Sequence, residues 1–151
     1  MSKPLRQITN FLEQRGYTPE FDLDSHTLFL ETETPNGPVQ TRYFYDLDME
    51  VLSSQCIFMD SLPKERYHAL CEMANRFNEQ VGFGSFVILE EEDLVFEINY
   101  LLDPEVQMSE SILDKLSLIP AEAMTEHLPS FLAVAHKNVA PAVAFDNFWE
   151  E

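Results

Sequence analysis

The sequence predicts one α+β domain in which helices pack on an antiparallel sheet. Segments of apolar–polar alternation follow one another with short turn signals between them, and other segments carry apolar residues at helical spacing. Hydrophobic residues make up 45% of the 151 residues, a share that is ordinary for a globular domain. Because the chain has four glycines and no long polar spacer, we predict a single domain at residues 1–138, followed by an acidic aromatic tail at residues 139–151.

The first element is a short amphipathic helix. Its apolar residues, Leu5, Ile8, Phe11 and Leu12, recur at the three- and four-residue spacing of one helix face. Gly16 ends the run, because glycine is a common residue just after the last turn of a helix.

A meander of three strands follows the helix. Alternation of apolar and polar residues predicts strands over residues 21–31, 39–47 and 51–60. The sequence Pro-Asn-Gly-Pro at residues 35–38 separates the first two strands, since Asn and Gly accept a positive φ. Three strands joined by tight turns form an antiparallel meander.

A second helix and a β-hairpin come next. Pro63 suits the first turn of this helix, where a missing N–H costs nothing, and Gly82 ends it. Residues 83–89 and 94–101 predict two strands joined by an acidic turn. Both strands are rich in apolar residues, so we expect much of both faces of the hairpin to be covered. The apolar stripe of the helix comprises Tyr67, Leu70, Cys71, Ala74, Phe77 and Val81.

Two closing helices complete the predicted fold. Ser109 is a good N-cap for the first of them, which runs to about Leu118. Pro120 begins the second, which runs to about Lys137, and Pro129 either kinks or divides it. Strands gathered into hairpins, with the helices segregated from them, indicate an α+β fold rather than a doubly wound sheet.

The negative charge covers the whole domain. The chain has 27 Asp and Glu against 9 Lys and Arg, a formal net charge of −18, and nine acidic residues fall in each of residues 1–50, 51–102 and 103–151. Direct binding of nucleic acid needs a basic face, so we expect none. The charge also disfavours docking to an anionic membrane. It keeps the domain soluble and favours basic or amphipathic protein partners.

Cysteine usage predicts a cytoplasmic protein. Cys56 and Cys71 lie among apolar neighbours and have no C-x-x-C spacing, so we expect two buried thiols in a reducing compartment. The sequence does not exclude a disulfide between them. The first residues contain no unbroken apolar stretch, so no secretory signal is expected, and no run reaches the length of a membrane-spanning helix.

Two Asp-Leu-Asp triplets are the candidate chemical motifs. Asp22 with Asp24, and Asp46 with Asp48, have the spacing that points two carboxylates to one face of a strand, where they hold a divalent metal or form a catalytic pair. The other interpretation is a half-buried strand with Leu inward and Asp outward. The acidic run at residues 90–93 indicates a solvated turn, and no histidine pair has zinc-ligand spacing. The sequence therefore assigns no catalytic, cofactor-binding or metal-binding residue.

The aromatic residues of the tail are the candidate partner-binding site. Phe145, Phe148 and Trp149 lie among acidic residues close to the end of the sequence. A flexible tail with such anchors can dock into the groove of a partner. The alternative is that the three rings fold back on this domain or its dimer mate, because aromatic side chains are costly to leave in water.

The order of elements and several short motifs resemble the YbjN-like family of bacterial sensory transduction regulators, from about Pro4 to His136. The motifs lie at the end of the first helix, late in the second helix, in the hairpin and at the start of the closing helices. They are Leu12-x-x-x-Gly16-Tyr17, Asn75-x-x-Asn78, Gly84-x-Phe86-x-Ile88, the turn Glu90 to Asp93, and Ser109-x-x-Ile112-Leu113.

The resemblance implies a fold similar to the class I chaperones of type III secretion, and a homodimer that works through protein contacts without a cofactor. It supplies no catalytic residues, and a shared fold does not imply a role in secretion. The preferred hypothesis is a non-enzymatic protein-binding or chaperone-like regulatory protein with an unknown protein client. The alternative is a divalent-metal-dependent enzyme or small-ligand protein that uses the Asp-Leu-Asp carboxylates.

Overall fold

A computed structural model of the chain describes residues 1–150 as helices packed on one six-stranded sheet. The helices are α1 (Lys3–Gln14), α2 (Tyr67–Asn78), α3 (Glu110–His136) and α4 (Pro141–Trp149), and a 3-10 turn at Lys64–Arg66 precedes α2. The strands are β1 (Glu20–Asp22), β2 (Thr27–Thr34), β3 (Gly37–Asp46), β4 (Val51–Phe58), β5 (Ser85–Leu89) and β6 (Asp93–Leu101).

The sheet order is β1-β2-β3-β4-β6-β5, and every neighbouring pair is antiparallel. The α+β class with an antiparallel sheet is therefore confirmed. The turn between β2 and β3 is closed by the pair Thr34 and Gly37, as the Pro-Asn-Gly-Pro signal predicted.

The first predicted strand is two strands, so the antiparallel meander is confirmed but has four strands, β1 to β4, where three were predicted. A turn between Asp22 and Thr27 separates β1 from β2. The Asp22 carboxylate accepts hydrogen bonds from the Asp24 backbone N–H at 3.0 Å and the Ser25 hydroxyl at 2.9 Å. His26 then adopts a positive φ of 52°, which ends the extended conformation.

Helix α1 begins and ends as predicted. Ser2 caps it by accepting from the Leu5 N–H, and the four predicted apolar residues are buried. Gly16 has a φ of +88°, and the Tyr17 N–H donates to the carbonyl of Leu12, which closes the helix with a Schellman-type turn.

All the helices pack on the same face of the sheet. Cross-strand partners such as Tyr43 and Ser54, or Cys56 and Phe96, point into the core beneath them. The core cluster and the residues packed on it include side chains from this face of the strands and from every helix. We call this the helix face.

The opposite face, called here the open face, is not covered by any other element of residues 1–150. Its apolar side chains, among them Phe29, Phe44 and Ile57, lie outside the core cluster and are partly exposed. Val95 is buried on this face by its neighbours alone. The expectation that much of both faces of the hairpin is covered holds for the helix face and, on the open face, for Val95, because all the helices lie on the helix face.

Helix α3 is continuous through Pro120, so the predicted restart at this residue is wrong. A proline lacks the N–H that would bond the carbonyl four residues earlier, which belongs to Leu116. That carbonyl accepts instead from the buried Ser54 hydroxyl at 2.6 Å. The Tyr43 hydroxyl donates to the next carbonyl, that of Ser117, at 2.6 Å. The Ser54 side chain thus replaces the hydrogen bond that Pro120 removes, and Tyr43 adds a second bond from the sheet to the same turn of α3.

Pro129 also lies inside α3 and does not divide it. Both Pro129 and Thr125, four residues earlier, are exposed. Water can therefore solvate the carbonyl that the proline leaves without its helical partner.

Strand β5 lies at one edge of the sheet and is held there by α2. The side chain of Asn78 donates to the Phe86 carbonyl at 3.0 Å and accepts from the Phe86 N–H at 2.7 Å. Asn78 thus occupies the backbone groups that a further strand would bond. This role gives a physical reason for the asparagine in the motif Asn75-x-x-Asn78.

The aromatic tail forms α4 and packs on α2 and α3. Arg66 tethers its entry by donating to the carbonyls of Val134, at 2.9 Å, and Val139, at 3.5 Å. Ala144 is buried in the core cluster. In this structure, residues 139–150 therefore continue the packed domain.

Both cysteines are free thiols. Cys56 is buried and Cys71 is partly exposed, so the prediction of burial holds for the first and is too strong for the second. Within residues 1–150, no helix combines the length and the apolar character needed to cross a membrane.

Candidate functional site

The three predicted aromatic residues have different environments on α4. Phe145 and Phe148 are partly buried, with ring centroids 5.6 and 5.2 Å from that of Phe77 on α2. Trp149 is 56% exposed, although its ring lies nearly perpendicular to that of Phe148, with the ring centroids 4.9 Å apart. Two of the rings therefore fold back on the domain, and the tryptophan faces solvent.

A histidine of α3 fixes the ring of Phe148. The rings of His127 and Phe148 are stacked, with centroids 4.7 Å apart and an interplanar angle of 22°. His127 Nδ1 lies 2.9 Å from the Ala123 carbonyl, one turn earlier in the same helix. The rings of Phe77 and His127 are nearly perpendicular, with centroids 4.3 Å apart. One aromatic cluster therefore joins α2, α3 and α4.

A cleft of about 330 Å³ opens beside this cluster, between α3, α4 and the segment that joins α2 to β5. We call it the α4 cleft. Phe148 and Trp149 line one side, and Phe83 lines another. Phe83 is 44% exposed. Phe83 and Trp149 together therefore present a large aromatic surface to water.

Two carboxylates border the α4 cleft. Glu122 and Glu126 are exposed, lie one turn apart on α3 and line the cleft. The three ion pairs formed among residues 1–150 join Arg15 with Glu110, Lys64 with Glu92 and Arg76 with Glu72. Neither glutamate of the cleft therefore has a cationic partner in the described part of the chain.

Aromatic faces and carboxylates together favour a cationic ligand. A lysine or arginine side chain is attracted both to the π face of a tryptophan and to a carboxylate. Apolar walls beside them suit an adjacent aliphatic or aromatic side chain. The α4 cleft thus brings aromatic faces, carboxylates and apolar walls side by side.

The Asp-Leu-Asp triplets lie at turns. The Asp22 carboxylate is engaged by Asp24 and Ser25, and the Asp46 carboxylate accepts from the Met49 N–H at 3.0 Å. Leu23 and Leu47 are 72% and 67% exposed, so the prediction that these leucines point inward is wrong. A turn that follows each first aspartate rotates the leucine out of the sheet.

The structure brings no metal-ligand cluster together in the part of the chain it describes. No three of the His, Cys, Asp and Glu side chains of residues 1–150 converge in a way that could hold an ion. Burial raises the pKa of the Cys56 thiol to about 12, so this sulfur is protonated at neutral pH and is a poor nucleophile.

The sequence interpretation missed Phe83, Glu122 and Glu126. Phe83 stands between two glycines, a setting that leaves an aromatic side chain without neighbours along the chain. The two glutamates are four residues apart within a helix, which places them on one face. Neither the flanking glycines of Phe83 nor the spacing of the two glutamates indicates by itself that α4 lies beside these three residues.

A comparison with protein families identifies the family of the chain. The YbjN model, described as "Putative bacterial sensory transduction regulator", matches residues 4–111, well over half of the chain. The match ends near the start of α3, whereas the resemblance in the sequence extended to His136. No curated protein matches the chain. The α4 cleft therefore combines Phe83, from the matched part, with residues of α3 and α4 that lie outside it.

Proposed function

Because the chain belongs to the YbjN family, we propose that it is a non-enzymatic regulatory protein that acts by binding a protein partner through the α4 cleft. The partner is a segment in which lysine or arginine flanks an apolar residue. In this role the protein holds its client in a chaperone-like way and carries out no reaction on it.

One observation carries the proposal: in the same cleft, exposed aromatic rings meet carboxylates that have no ion-pair partner in the described part of the chain. Trp149 and Phe83 remain exposed in a domain that buries its other phenylalanines at least in part. Aromatic residues are enriched at the centres of protein interfaces, where they contribute large contact areas. The surplus of acidic residues steers a basic segment toward the domain.

A fluorescence titration tests this proposal, since Trp149 is the single tryptophan of the chain. A synthetic peptide with lysines flanking a Leu-Phe pair is expected to change the tryptophan emission in a saturable way. The same peptide with glutamates in place of the lysines is expected to give no change. Phe83→Ala is expected to weaken the binding of the lysine peptide about tenfold, because it removes a central aromatic contact.

Val143 supplies a control variant on α4, the helix that carries Trp149. It is exposed and does not line the α4 cleft, so Val143→Ala is expected to bind the lysine peptide as the original chain does. Capture of proteins from a bacterial lysate extends the test to a natural client, which Val143→Ala retains and Phe83→Ala loses. Equal binding by both variants, or equal binding of both peptides, contradicts the proposal.

We also propose that the protein is a homodimer formed through the open face. A groove of about 460 Å³ crosses this face and is lined at one end by Arg42 and at the other by Glu90 and Asp93. Met59 and Leu89 also line the groove and are exposed. The groove carries both signs of charge. A second copy related by a twofold axis can therefore place its Arg42 against Glu90 and Asp93 of the first copy.

Light scattering tests the dimer and its surface. The chain is expected to have the mass of a dimer, and Arg42→Glu is expected to give a monomer because the groove then carries negative charge alone. Lys115→Glu changes charge equally but lies exposed on α3, away from the open face, and is expected to remain dimeric. A monomeric original chain rejects the dimer, and a dimeric Arg42→Glu variant rejects this surface.

A further inference from the structure

A second cavity lies on the other side of α3 from the α4 cleft. It has a volume of about 380 Å³ and opens between α3 and strands β2 and β3. Its walls are apolar, with Leu30 on the sheet and Leu118 and Ala121 on the helix. This volume is within the range of small-molecule sites, which combine apolar walls with a few polar groups. We call it the α3 cavity.

A buried hydroxyl without a partner lies at one end of the α3 cavity. Ser117 is 1% exposed, lines the cavity, and has no hydrogen-bond partner for its Oγ among residues 1–150. The helical repeat places Ser117 on the same face as Ala121 and Thr125, which also line the cavity. Since buried polar groups are normally bonded, this hydroxyl favours a ligand that carries a hydrogen-bonding group.

Carboxylates lie at the other end. Glu122 and Glu126 line the α3 cavity as well as the α4 cleft. Glu122 is five residues from Ser117, which is about 7.5 Å along the helix axis. A ligand of that length can therefore reach a carboxylate with one end and the Ser117 hydroxyl with the other.

We propose that the α3 cavity binds a small amine that carries a hydroxyl at the far end of a compact apolar body. The ammonium group lies against Glu122 and Glu126, which form no ion pair within residues 1–150. The apolar body packs between Leu30 and Leu118. The hydroxyl forms a hydrogen bond with Ser117 Oγ. The apolar walls of this site are separate from the aromatic walls of the α4 cleft, although the two sites share their carboxylates.

Calorimetric titration of the full chain with three related compounds tests the proposal. Tyramine has the ammonium, the ring and the distal hydroxyl; phenethylamine lacks the hydroxyl; and tyrosol has a neutral alcohol in place of the ammonium. Tyramine is expected to bind about threefold to tenfold more tightly than phenethylamine, which is the range for one hydrogen bond. Tyrosol is expected to bind roughly tenfold more weakly than tyramine, because it cannot pair with the carboxylates.

Variants assign each difference to its residue. Ser117→Ala is expected to fold normally, since it removes an unbonded hydroxyl, and to bind tyramine and phenethylamine equally. Glu122→Gln combined with Glu126→Gln is expected to bind tyramine and tyrosol equally. Trp149→Ala is expected to leave tyramine affinity unchanged, because Trp149 does not line the α3 cavity.

Each contrary result overturns the proposal. Absence of saturable tyramine binding rejects the site, and an unchanged preference for tyramine in Ser117→Ala rejects the hydroxyl contact. Loss of tyramine binding in Trp149→Ala places the amine in the α4 cleft instead. A lysine with acetylated and amidated ends represents a peptide source of the ammonium, and tighter binding of this compound than of tyramine rejects a small amine as the ligand.

Discussion

Gly84→Ala is expected to lower the free energy of unfolding by about 2–5 kcal/mol, the sum of a conformational and a steric cost. Gly84 has a φ of +81°, which an L side chain rarely adopts. A Cβ at this position would lie 2.7 Å from Phe96 Cζ and 2.9 Å from the Glu97 backbone oxygen. The backbone oxygen belongs to β6 and cannot move without disturbing the sheet. Chemical denaturation of the two proteins measures the difference.

Gly16→Ala is the control that separates the two costs. Gly16 has a similar φ of +88°, but no atom lies within 4 Å of a Cβ placed there. Its substitution is expected to cost about 1–2 kcal/mol, the conformational part alone. An equal decrease in the free energy of unfolding for the two variants would contradict the steric argument. It would show that the close approach of Gly84 to β6 does not add to the cost of the substitution.

The sequence was sufficient to predict those helices and strands that are determined by residues within the same short segment. Helix α1 could be predicted because its apolar spacing and Gly16 act over a few residues. The division between β1 and β2 could not, because the alternation continues through Leu23 while the Asp22 side chain bends the backbone. Side-chain capping of a turn leaves the hydrophobic pattern intact, so the pattern alone joined two strands into one.

The candidate site shows the same limit at the level of tertiary structure. Trp149 could be selected from the sequence because a lone tryptophan among acidic residues is unusual. Phe83 and Glu126 are separated from each other by more than 40 residues of sequence, and they meet at the α4 cleft because α4 packs on α2 and α3. The unbonded hydroxyl of Ser117 is likewise visible only when the partners of each buried group are known.

Proline in a helix is the clearest case in which tertiary contacts override a local rule. The ordinary expectation is that Pro120 breaks α3, at a cost of about 3 kcal/mol or more. The sheet offsets part of this cost, since Ser54 supplies the hydrogen that the Leu116 carbonyl lacks. This compensation involves only Ser54 and Pro120, so it can be measured as a coupling free energy between substitutions at these two residues.

Ser54→Ala is therefore expected to lower the free energy of unfolding by about 1–3 kcal/mol, because the buried Leu116 carbonyl loses its donor. In a Pro120→Ala background the same substitution is expected to cost about 1–2 kcal/mol less, since residue 120 then has an N–H that bonds Leu116 within the helix. Denaturation of the four proteins of this double-mutant cycle gives the coupling energy.

Ser53 provides the matched control for the cycle. Its hydroxyl lies on the open face and contacts Asn99 Oδ1 at 2.6 Å, far from the helix. Ser53→Ala and Pro120→Ala are therefore expected to be additive within about 0.5 kcal/mol. If Ser54→Ala is equally additive with Pro120→Ala, the Ser54 hydroxyl does not compensate for the proline, and the continuity of α3 must depend on its packing against β4 and β6 instead.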